Sequence, residues 1–265
     1  MSYYYGVVCV DASGNESEIS TSGSSITNTA RGIPTISLEV PSNFAADGDL
    51  SEWFDSGIMP FNINPETGHV ATGEVSSNND LDATVYLAID NDYLYFAADV
   101  IDDSYYYGEG DWWNQDALQL FIGLYDTHGP HITHSSILGG TYPDYILYMN
   151  ETTLHLDIAG GGSLSAPGDG NYYFEGFDPD YVTEGKISLD SLAAARGDER
   201  YYPTNGDRIP LDIYFHDNDN GAWEGNVGFS SLATDQQWNN PGEWAFTWIG
   251  DASVVSGVDD EHSLV

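Results

Sequence analysis

Short segments of alternating apolar and polar residues, separated by turn-forming residues, run along most of the chain. The clearest case is 84–89, Thr-Val-Tyr-Leu-Ala-Ile, which is followed by Asn91-Asp92 and then by 93–100, Tyr-Leu-Tyr-Phe-Ala-Ala-Asp-Val. A period of two along the chain indicates β-strands, and Asn and Asp favour the turn between them. We therefore expect 84–100 to form a β-hairpin.

Similar segments recur through the rest of the chain, and they predict strands at 117–124, 144–150, 152–158, 171–175, 210–216 and 244–250. Only 186–196 has a helical pattern, and Gly197 supplies its stop signal. Many short strands bounded by Gly and Asp turns are typical of an all-β protein. The predicted fold is an antiparallel β-sandwich of the jelly-roll or immunoglobulin-like kind.

The first residues have a different character. Residues 3–10, Tyr-Tyr-Tyr-Gly-Val-Val-Cys-Val, predict one strand, and 11–17 supply turn residues. This strand-and-turn pattern resembles the last two strands of a fibronectin type III domain. The resemblance implies that 1–20 are the C-terminal end of a truncated domain of that family. Residues 21–35, which are rich in Ser, Thr and Gly, are expected to be a linker.

The sequence pattern also predicts the remaining domain boundaries. A main domain is expected at 36–252, and 253–265 are expected to be a tail or linker. Cys9 is the single cysteine, so no intrachain disulfide is possible, and its apolar neighbours predict a small core residue. The N-terminus lacks the pattern of a signal peptide, so a secreted protein would carry that signal upstream of this chain.

The charge balance limits the possible partners. The chain has 43 acidic residues against 5 basic ones, which gives a formal net charge of -38. Phosphate binding needs a basic surface, so nucleic acid is excluded as a partner, and no apolar stretch predicts membrane insertion. Carboxylates in such excess repel one another unless bound calcium or high external salt offsets the repulsion. Both remedies favour an extracellular location, either secreted or on the cell surface.

Two groups of acidic residues are candidate calcium ligands. Asp102 and Asp103 follow one predicted strand and Asp116 begins the next, so the three are expected to converge on one cation at the rim of the sheet. Asp217 and Asp219 lie in His-Asp-Asn-Asp-Asn-Gly at 216–221, which is either part of a second calcium loop or an ordinary Asx turn.

Five motifs in a fixed order carry a second resemblance. They are DGDLSEW at 47–53, YLYFAADVIDD at 93–103, WNQDALQLFI at 113–122, GKISLDSL at 185–192 and WNNPGEW at 238–244. Together they resemble the family 9 carbohydrate-binding modules found on xylanases and their wider DOMON-like relatives. The resemblance spans about 36–252 and implies a calcium-dependent β-sandwich that binds sugar without catalysis.

The resemblance also implies which side chains contact the sugar. In that family, two tryptophans clamp a sugar ring, and their matching positions here are Trp113 and Trp238, with Trp223 as a competitor for the second. Gln119 stands where the family has a glutamate. Hydrogen bonds that involve a charged group are stronger than neutral ones, so this exchange is expected to alter affinity or target.

The family's Arg-x-Asn pair is matched by Tyr148 and Asn150, so the asparagine is retained and the arginine is replaced. The resemblance implies that Asn150 bonds a sugar hydroxyl and that Tyr148 stacks on the ring or bonds a hydroxyl.

Catalysis is not expected. Glycosidases use two carboxylates at a set separation, but with 43 acidic residues some pair always satisfies that condition. No motif of a serine hydrolase, zinc protease or phosphate-binding loop is present. The three histidines of 128–134 predict a polar loop rather than a zinc site, and no ligand pair favours haem.

The predicted function is therefore a non-catalytic carbohydrate-binding module of a larger secreted or cell-surface protein. An alternative is a structural subunit of an extracellular fibre or surface layer. In that case the strand near 3–10 would complete the sheet of a neighbouring chain.

Overall fold

In a computed structural model, the chain forms two compact units, 1–32 and 33–265. The structure describes residues 2–3, 6–10, 12–21, 26–27, 33–108, 111–125, 144–157, 161–177, 179–219, 221 and 223–251. The histidine-containing segment 128–134 and the predicted tail at 253–265 lie outside these residues. The division between the units falls within the predicted linker, and the predicted domain boundaries themselves stay predictions.

The N-terminal unit contains short strand pairs. Its strands are β1 (Ser2–Tyr3), β2 (Gly6–Val7), β3 (Ser20–Thr21) and β4 (Ile26–Thr27). β1 pairs with β4 and β2 with β3, both antiparallel. The prediction of one continuous strand over 3–10 is wrong, because Val10 makes only an isolated bridge. Cys9 is exposed rather than in a core, since the described strands of this unit are two residues long and pair in twos without a packed second layer.

The second unit carries the predicted sandwich. Its strands are β5 (Ile36–Ser37), β6 (Phe61–Ile63), β7 (His69–Gly73), β8 (Leu81–Ile89), β9 (Tyr93–Asp102), β10 (Ala117–Gly123), β11 (Asp144–Asn150), β12 (Thr153–Leu156), β13 (Gly162–Ser165), β14 (Tyr172–Gly176), β15 (Tyr181–Ser188), β16 (Arg208–Asp217), β17 (Gly225–Gly228) and β18 (Ala245–Gly250). Its helices are α1 (Ser51–Asp55) and α2 (Leu189–Arg196), with 3-10 turns at Trp112–Asn114 and Pro241–Glu243.

The strands form two layers. One layer has the order β14-β15-β9-β8, with β6 and β5 beside β8, and the other has the order β13-β12-β11-β10-β16-β17-β7. β18 joins the layers, since it pairs antiparallel with β16 and parallel with β5. All pairings except the two short ones of β5 are antiparallel. The predicted all-β sandwich is confirmed.

One main hydrophobic core lies between the layers. Alternate residues of β8, such as Val85 and Leu87, and of β10, such as Leu118 and Leu120, are buried in the same cluster. The predicted hairpin is confirmed, because β8 and β9 pair in register from Leu81 to Ile89. Alternation also places every second residue of β10, β11 and β16 on the outer surface of the layer. That outer surface carries the candidate site.

The predicted helix at 186–196 begins too early. Lys186 to Ser188 end strand β15, and α2 begins at Leu189. The Ser188 side chain accepts a hydrogen bond from the Ser191 backbone N–H, so it caps the helix N-terminus. Gly197 ends the helix as predicted, with a φ of 73°. Among the described residues, no helix is both long and apolar enough to cross a membrane.

Candidate functional site

Polar and aromatic side chains occupy the outer face of β10, β16 and β17. Gln119 of β10 stands opposite Tyr214 of β16, and His216 of β16 stands opposite Asn226 of β17. The His216 ring nitrogen Nε2 lies 3.5 Å from Gln119 Oε1. These side chains come together because they share one face of paired strands, opposite the residues that enter the core.

Close packing supports this face. Gly228 stands opposite Tyr214, and a Cβ at Gly228 would lie 2.6 Å from the Tyr214 ring. Glycine is therefore required there for the ring to lie over β17. On its other side the Tyr214 ring meets Phe121 edge-on, with centroids 6.1 Å apart. Phe121 in turn packs against the fully buried Trp244.

A cleft with a volume of about 560 Å³ opens above this face. Four tryptophans line it, Trp112, Trp113, Trp223 and Trp238. Its other lining residues are Gln119, Phe121, Asp157, Tyr214, His216, Asn226, Asp235 and Gln237. Trp113 and Trp238 are 45% and 55% exposed. The cleft thus combines exposed aromatic walls with a buried polar floor.

The loop before β10 supplies two of these walls. Trp112 stacks on Tyr148 of β11, with centroids 4.6 Å apart and ring planes 4° apart. Trp113 stands perpendicular to Trp112, at 5.7 Å and 85°. The stack on the sheet fixes Trp112, and the perpendicular contact then orients Trp113 at the cleft.

The five predicted sugar contacts divide between two places. Trp113, Gln119 and Trp238 line the cleft, whereas Tyr148 and Asn150 line a neighbouring depression that also borders Trp112. The expectation that all five share one surface is therefore corrected, and the competitor Trp223 lines the same cleft as Trp238.

The side chains in the second depression are already engaged. Tyr148 lies between the rings of Trp112 and His155, at 4.6 and 4.7 Å, so it offers no open face for stacking. The Asn150 side-chain oxygen accepts hydrogen bonds from the backbone N–H groups of Thr152 and Thr153, at 3.0 and 3.1 Å. Both residues therefore shape the local turn and the support for Trp112.

Four floor residues were not found by sequence reasoning: Tyr214, His216, Asn226 and Gln237. Tyr214 and His216 alternate with the core residues Ile213 and Phe215 on the predicted strand at 210–216, so their common face could have been read from the sequence. Asn226 lies on a strand that the sequence did not predict, and Gln237 lies in a loop. No local sequence pattern therefore indicated that either residue faces the cleft.

The described floor residues are buried and include no Lys or Arg. Burial lowers the pKa of His216 to about 4, so the ring is neutral near pH 7. Asp212 lies on the same face of β16 as Tyr214 and His216, where its Oδ1 accepts hydrogen bonds from the backbone N–H groups of Ile213 and Ser230, at 2.9 and 2.8 Å. Burial raises the pKa of Asp212 to about 7 despite these two donors.

Three buried carboxylates meet at the base of the tryptophan loop. Asp102, Asp116 and Asp217 each place an oxygen within 4.8 Å of the others. Asp116 ties the loop to this point, because it accepts hydrogen bonds from the backbone N–H groups of Tyr106 and Asn218. Asp102 Oδ2 and both oxygens of Asp217 have no partner among the described residues.

A second group consists of Asp80, Asp103 and Asp219, whose oxygens also lie within 4.8 Å of one another. Asp103 therefore lies in a different group from Asp102 and Asp116, with which it was expected to converge, and the calcium assignment itself stays a prediction. Consecutive residues at the end of a strand point to opposite sides, so the two carboxylates face different partners. Asp217 and Asp219 also fall in different groups, because Asp217 ends β16 whereas Asp219 lies in the turn beyond it. Asp80 was missed because it lies far away in sequence.

Both groups suit a hard cation. Burial, followed by repulsion from neighbouring carboxylates, raises the pKa of Asp116 to about 9 and that of Asp217 to about 8. Burial likewise raises the pKa of Asp102 to about 7. Oxygen ligands without partners, gathered in one place, match the coordination that calcium prefers. The described residues of these groups provide no sulfur or imidazole ligand that would favour zinc.

Comparison with known proteins agrees with this architecture. The model of the carbohydrate family 9 binding domain-like family matches residues 61–247. A family 9 carbohydrate-binding module from Caldicellulosiruptor kristjanssonii, solved in complex with glucose, is similar in fold, with a TM-score of 0.56 and 16% identity. That match covers 82% of this chain and 95% of the module.

A second structure from the same organism, a family 9 module in complex with cellotriose, has a TM-score of 0.55 and 15% identity over 87% of this chain and 96% of that one. No curated protein sequence matches the chain.

The fold and the family match thus define the class of this protein, which is a non-catalytic carbohydrate-binding β-sandwich. The chain belongs to the carbohydrate family 9 binding domain-like family. The predictions of that family and of a protein that is not an enzyme are confirmed by this membership. The preceding fibronectin type III segment stays a prediction.

Proposed function

We propose that the chain binds a sugar ring in the aromatic cleft, between Trp113 and Trp238, with Gln119 bonded to a hydroxyl below. The observation that carries this proposal is the meeting of these three residues in one cleft. Trp113 and Trp238 are far apart in sequence, and the family resemblance independently implies a sugar contact for both. Their convergence therefore supports a shared role.

The chemistry of the cleft suits a sugar. Aromatic side chains present apolar faces that pack against the C–H groups of a pyranose ring, while polar groups bond its hydroxyls. Trp113 and Trp238 are about half exposed, which is costly for large apolar side chains unless a ligand covers them. A volume of about 560 Å³ lies within the range of small-molecule sites.

We further propose that calcium braces the cleft. Asp102, Asp116 and Asp217 would hold one ion, and Asp80, Asp103 and Asp219 would hold a second. Asp116 is bonded to the backbone at Tyr106, which begins the stretch that leads to the two tryptophans. A cation there would offset the repulsion between the carboxylates and fix the loop that positions Trp113.

Glucose and cellotriose, present in the two similar structures, are the natural first probes for this chain. We propose that the module acts outside the cell, where calcium is abundant, as part of a larger protein. The composition supports this setting, since 43 carboxylates against 5 basic residues need cations or salt to offset their repulsion.

The test is calorimetric titration of glucose and cello-oligosaccharides into the whole chain, with calcium and again with chelator. Trp113→Ala and Trp238→Ala are expected to lower the affinity at least tenfold. Phe177→Ala, which removes an aromatic ring of similar exposure outside the cleft, is the matched control and is expected to bind normally. Equal binding by Trp113→Ala, Trp238→Ala and the parent chain would contradict the proposal.

Assembly through the N-terminal strands is the competing proposal. Val7 of β2 and Ile19, which directly precedes β3, are exposed apolar side chains, at 64% and 66%. Sedimentation of the whole chain and of a chain without residues 1–20 separates the two proposals. Sugar binding by both forms, with a monomer in each case, would favour the module, whereas fibres that disappear on deletion would favour assembly.

A further inference from the structure

The floor of the cleft contains buried polar atoms that the described part of the chain leaves unpaired. Tyr214 Oη, His216 Nδ1, Asn226 Oδ1 and Gln237 Nε2 have no hydrogen-bond partner among the described residues. The four side chains are between 1% and 6% exposed. Most buried polar groups in proteins are paired, so four unpaired atoms in one cleft indicate partners supplied from outside the protein.

The neighbours of these atoms fix their orientation. The Asn226 side chain hydrogen bonds to the Asp235 carboxylate, which can only accept, so the Asn226 amide nitrogen is used and its oxygen remains. The Gln237 side chain lies near both the Asp212 carboxyl and the Tyr214 hydroxyl, and the Asp235 backbone also lies near that hydroxyl. None of these contacts completes a hydrogen bond from Gln237 Nε2 or at Tyr214 Oη. The floor therefore offers an acceptor at Asn226 and a donor at Gln237, with the Tyr214 hydroxyl able to act as either.

The described lining of the cleft includes no Lys or Arg that could receive an anionic ligand. The chain has five basic residues, and Arg31 lies outside the described part. Lys186 stacks over Phe44 and Tyr93, Arg196 pairs with Asp198, and none of the four described basic residues lines the cleft. The charged groups that do line it are the acidic Asp157 and Asp235.

We infer that Tyr214, Asn226 and Gln237 form a neutral floor that selects an uncharged sugar by the pattern of its hydroxyl groups. This inference rests on the proposed function of the cleft. A sugar hydroxyl both donates and accepts, so it satisfies donors and acceptors on the same floor. The carboxylate of a uronate, or a sulfate group, accepts only, so in place of a hydroxyl over the floor it would leave the Asn226 oxygen unpaired and would face Asp157 and Asp235 without a counter-charge.

Specificity therefore comes from residues outside the motifs that mark the family. Gln119 and Tyr148, which replace charged family positions, are neutral. A site that bonds hydroxyls through buried groups rejects analogues in which a hydroxyl is missing or misplaced, because a floor atom then stays unpaired. Epimers that differ at one hydroxyl are the sharpest probes of such a floor.

The experiment measures the affinity of the whole chain, with calcium present, for glucose, galactose, mannose, glucosamine and glucuronic acid. The parent chain is expected to bind one of the three uncharged epimers at least tenfold more tightly than the other two. It is also expected to bind glucuronic acid at least tenfold more weakly than its best neutral sugar.

Tyr214→Phe is the decisive variant. Among the described residues the Tyr214 hydroxyl completes no hydrogen bond, so its removal is expected to change the melting temperature little, while sugar affinity falls about tenfold and the ratio between epimers shrinks. Tyr145→Phe is the matched control, because the Tyr145 hydroxyl donates to Asp198 at 3.1 Å, away from the cleft. That variant is expected to lose stability and keep sugar affinity.

A gain of function completes the test. Asp235→Lys places one cation at the exposed rim and is expected to raise the affinity for glucuronic acid at least tenfold relative to Asp235→Asn. Tyr214→Phe with unchanged affinities and epimer ratios would overturn the inference while leaving the cleft as the binding site. Glucosamine or glucuronic acid bound more tightly than every neutral sugar would overturn it too. A parent chain that binds none of the sugars would overturn the proposed function, and the inference with it.

Discussion

Trp112 lies flat on Tyr148, with ring centroids 4.6 Å apart and planes only 4° apart. Tyr148 is covered on its other side by His155, so the stack is anchored in strands β11 and β12. The tryptophan pair at the cleft therefore depends on a residue that does not line the cleft itself. At this position the family resemblance led us to expect a direct sugar contact.

This stack predicts an indirect effect of Tyr148 on binding. Tyr148→Ala removes the support under Trp112 and is expected to weaken monosaccharide binding by about three- to tenfold, since a stacked aromatic pair contributes about 0.5–1.5 kcal/mol. Tyr148→Phe keeps the ring and is expected to bind normally. Titration of both variants with one monosaccharide checks this, and equal losses would instead indicate that the Tyr148 hydroxyl contacts the sugar.

Calcium is expected to reverse the effect of removing Asp116. With calcium, Asp116→Asn should lower the melting temperature by several degrees, because one ligand of a buried ion is lost. With chelator, the same variant should be as stable as the parent or more stable, because it removes a carboxyl group whose burial and repulsion by neighbouring carboxylates raise its pKa to about 9. Asp103→Asn, at an exposed position, is the comparison and should change less in both conditions.

Thermal melts of the parent and both variants, with and without calcium, measure this crossover. Destabilisation of Asp116→Asn by the same amount in both conditions would mean that Asp116 acts only through its hydrogen bonds to Tyr106 and Asn218.

Asp212 predicts a pH dependence of stability. Burial raises its pKa from 3.8 to about 7, so the folded protein keeps a proton that the unfolded chain releases. The contribution of this proton to the free energy of unfolding is fully present below about pH 4 and is lost as the pH rises through about 7. Relative to Asp212→Asn, the parent chain should lose up to about 1.4 kcal/mol of unfolding free energy per pH unit over that interval.

Denaturant titrations of the two proteins between about pH 4 and pH 8 measure the difference. Asp55→Asn, at an exposed position, controls for the loss of one charge. A constant difference between the parent and Asp212→Asn across this range would contradict the prediction.

A buried contact explains the DGDLSEW motif at 47–53. Glu184 is fully buried, and its Oε1 accepts hydrogen bonds from the backbone N–H groups of Asp47 and Gly48, at 2.7 and 2.6 Å. Its Oε2 accepts from Trp53 Nε1 at 3.2 Å. Trp53 is fully buried, so this tryptophan holds the segment to β15 and is not exposed for a ligand.

Glu184→Ala is expected to destabilise the protein by about 3–5 kcal/mol, because three donors lose their acceptor. Sugar affinity of the folded variant should be unchanged, since Glu184 lies in the layer opposite the cleft. Glu184→Gln keeps one oxygen for the two backbone donors and should cost less. Denaturant unfolding and one sugar titration of each variant check both statements.

The sequence by itself determined the class of fold and the family. Strand periodicity is a local property, so the hairpin of β8 and β9 and most other strands were predicted from neighbouring residues alone. Helix α2 was predicted three residues too long at its start, because Lys186 to Ser188 pair with β9 in the sheet, and that pairing is not local. The five motifs identified the family because members of the family carry similar residues in the same order along the chain.

Tertiary structure decided which residues meet. Asp102 and Asp103 are adjacent in the chain, yet they face different carboxylate groups because strand residues alternate in direction. The floor of the cleft joins Tyr214 to Asn226 and Gln237, which come from another strand and a loop. Local patterns record which face a residue occupies, but only strand pairing and loop packing bring separate faces to one point in space.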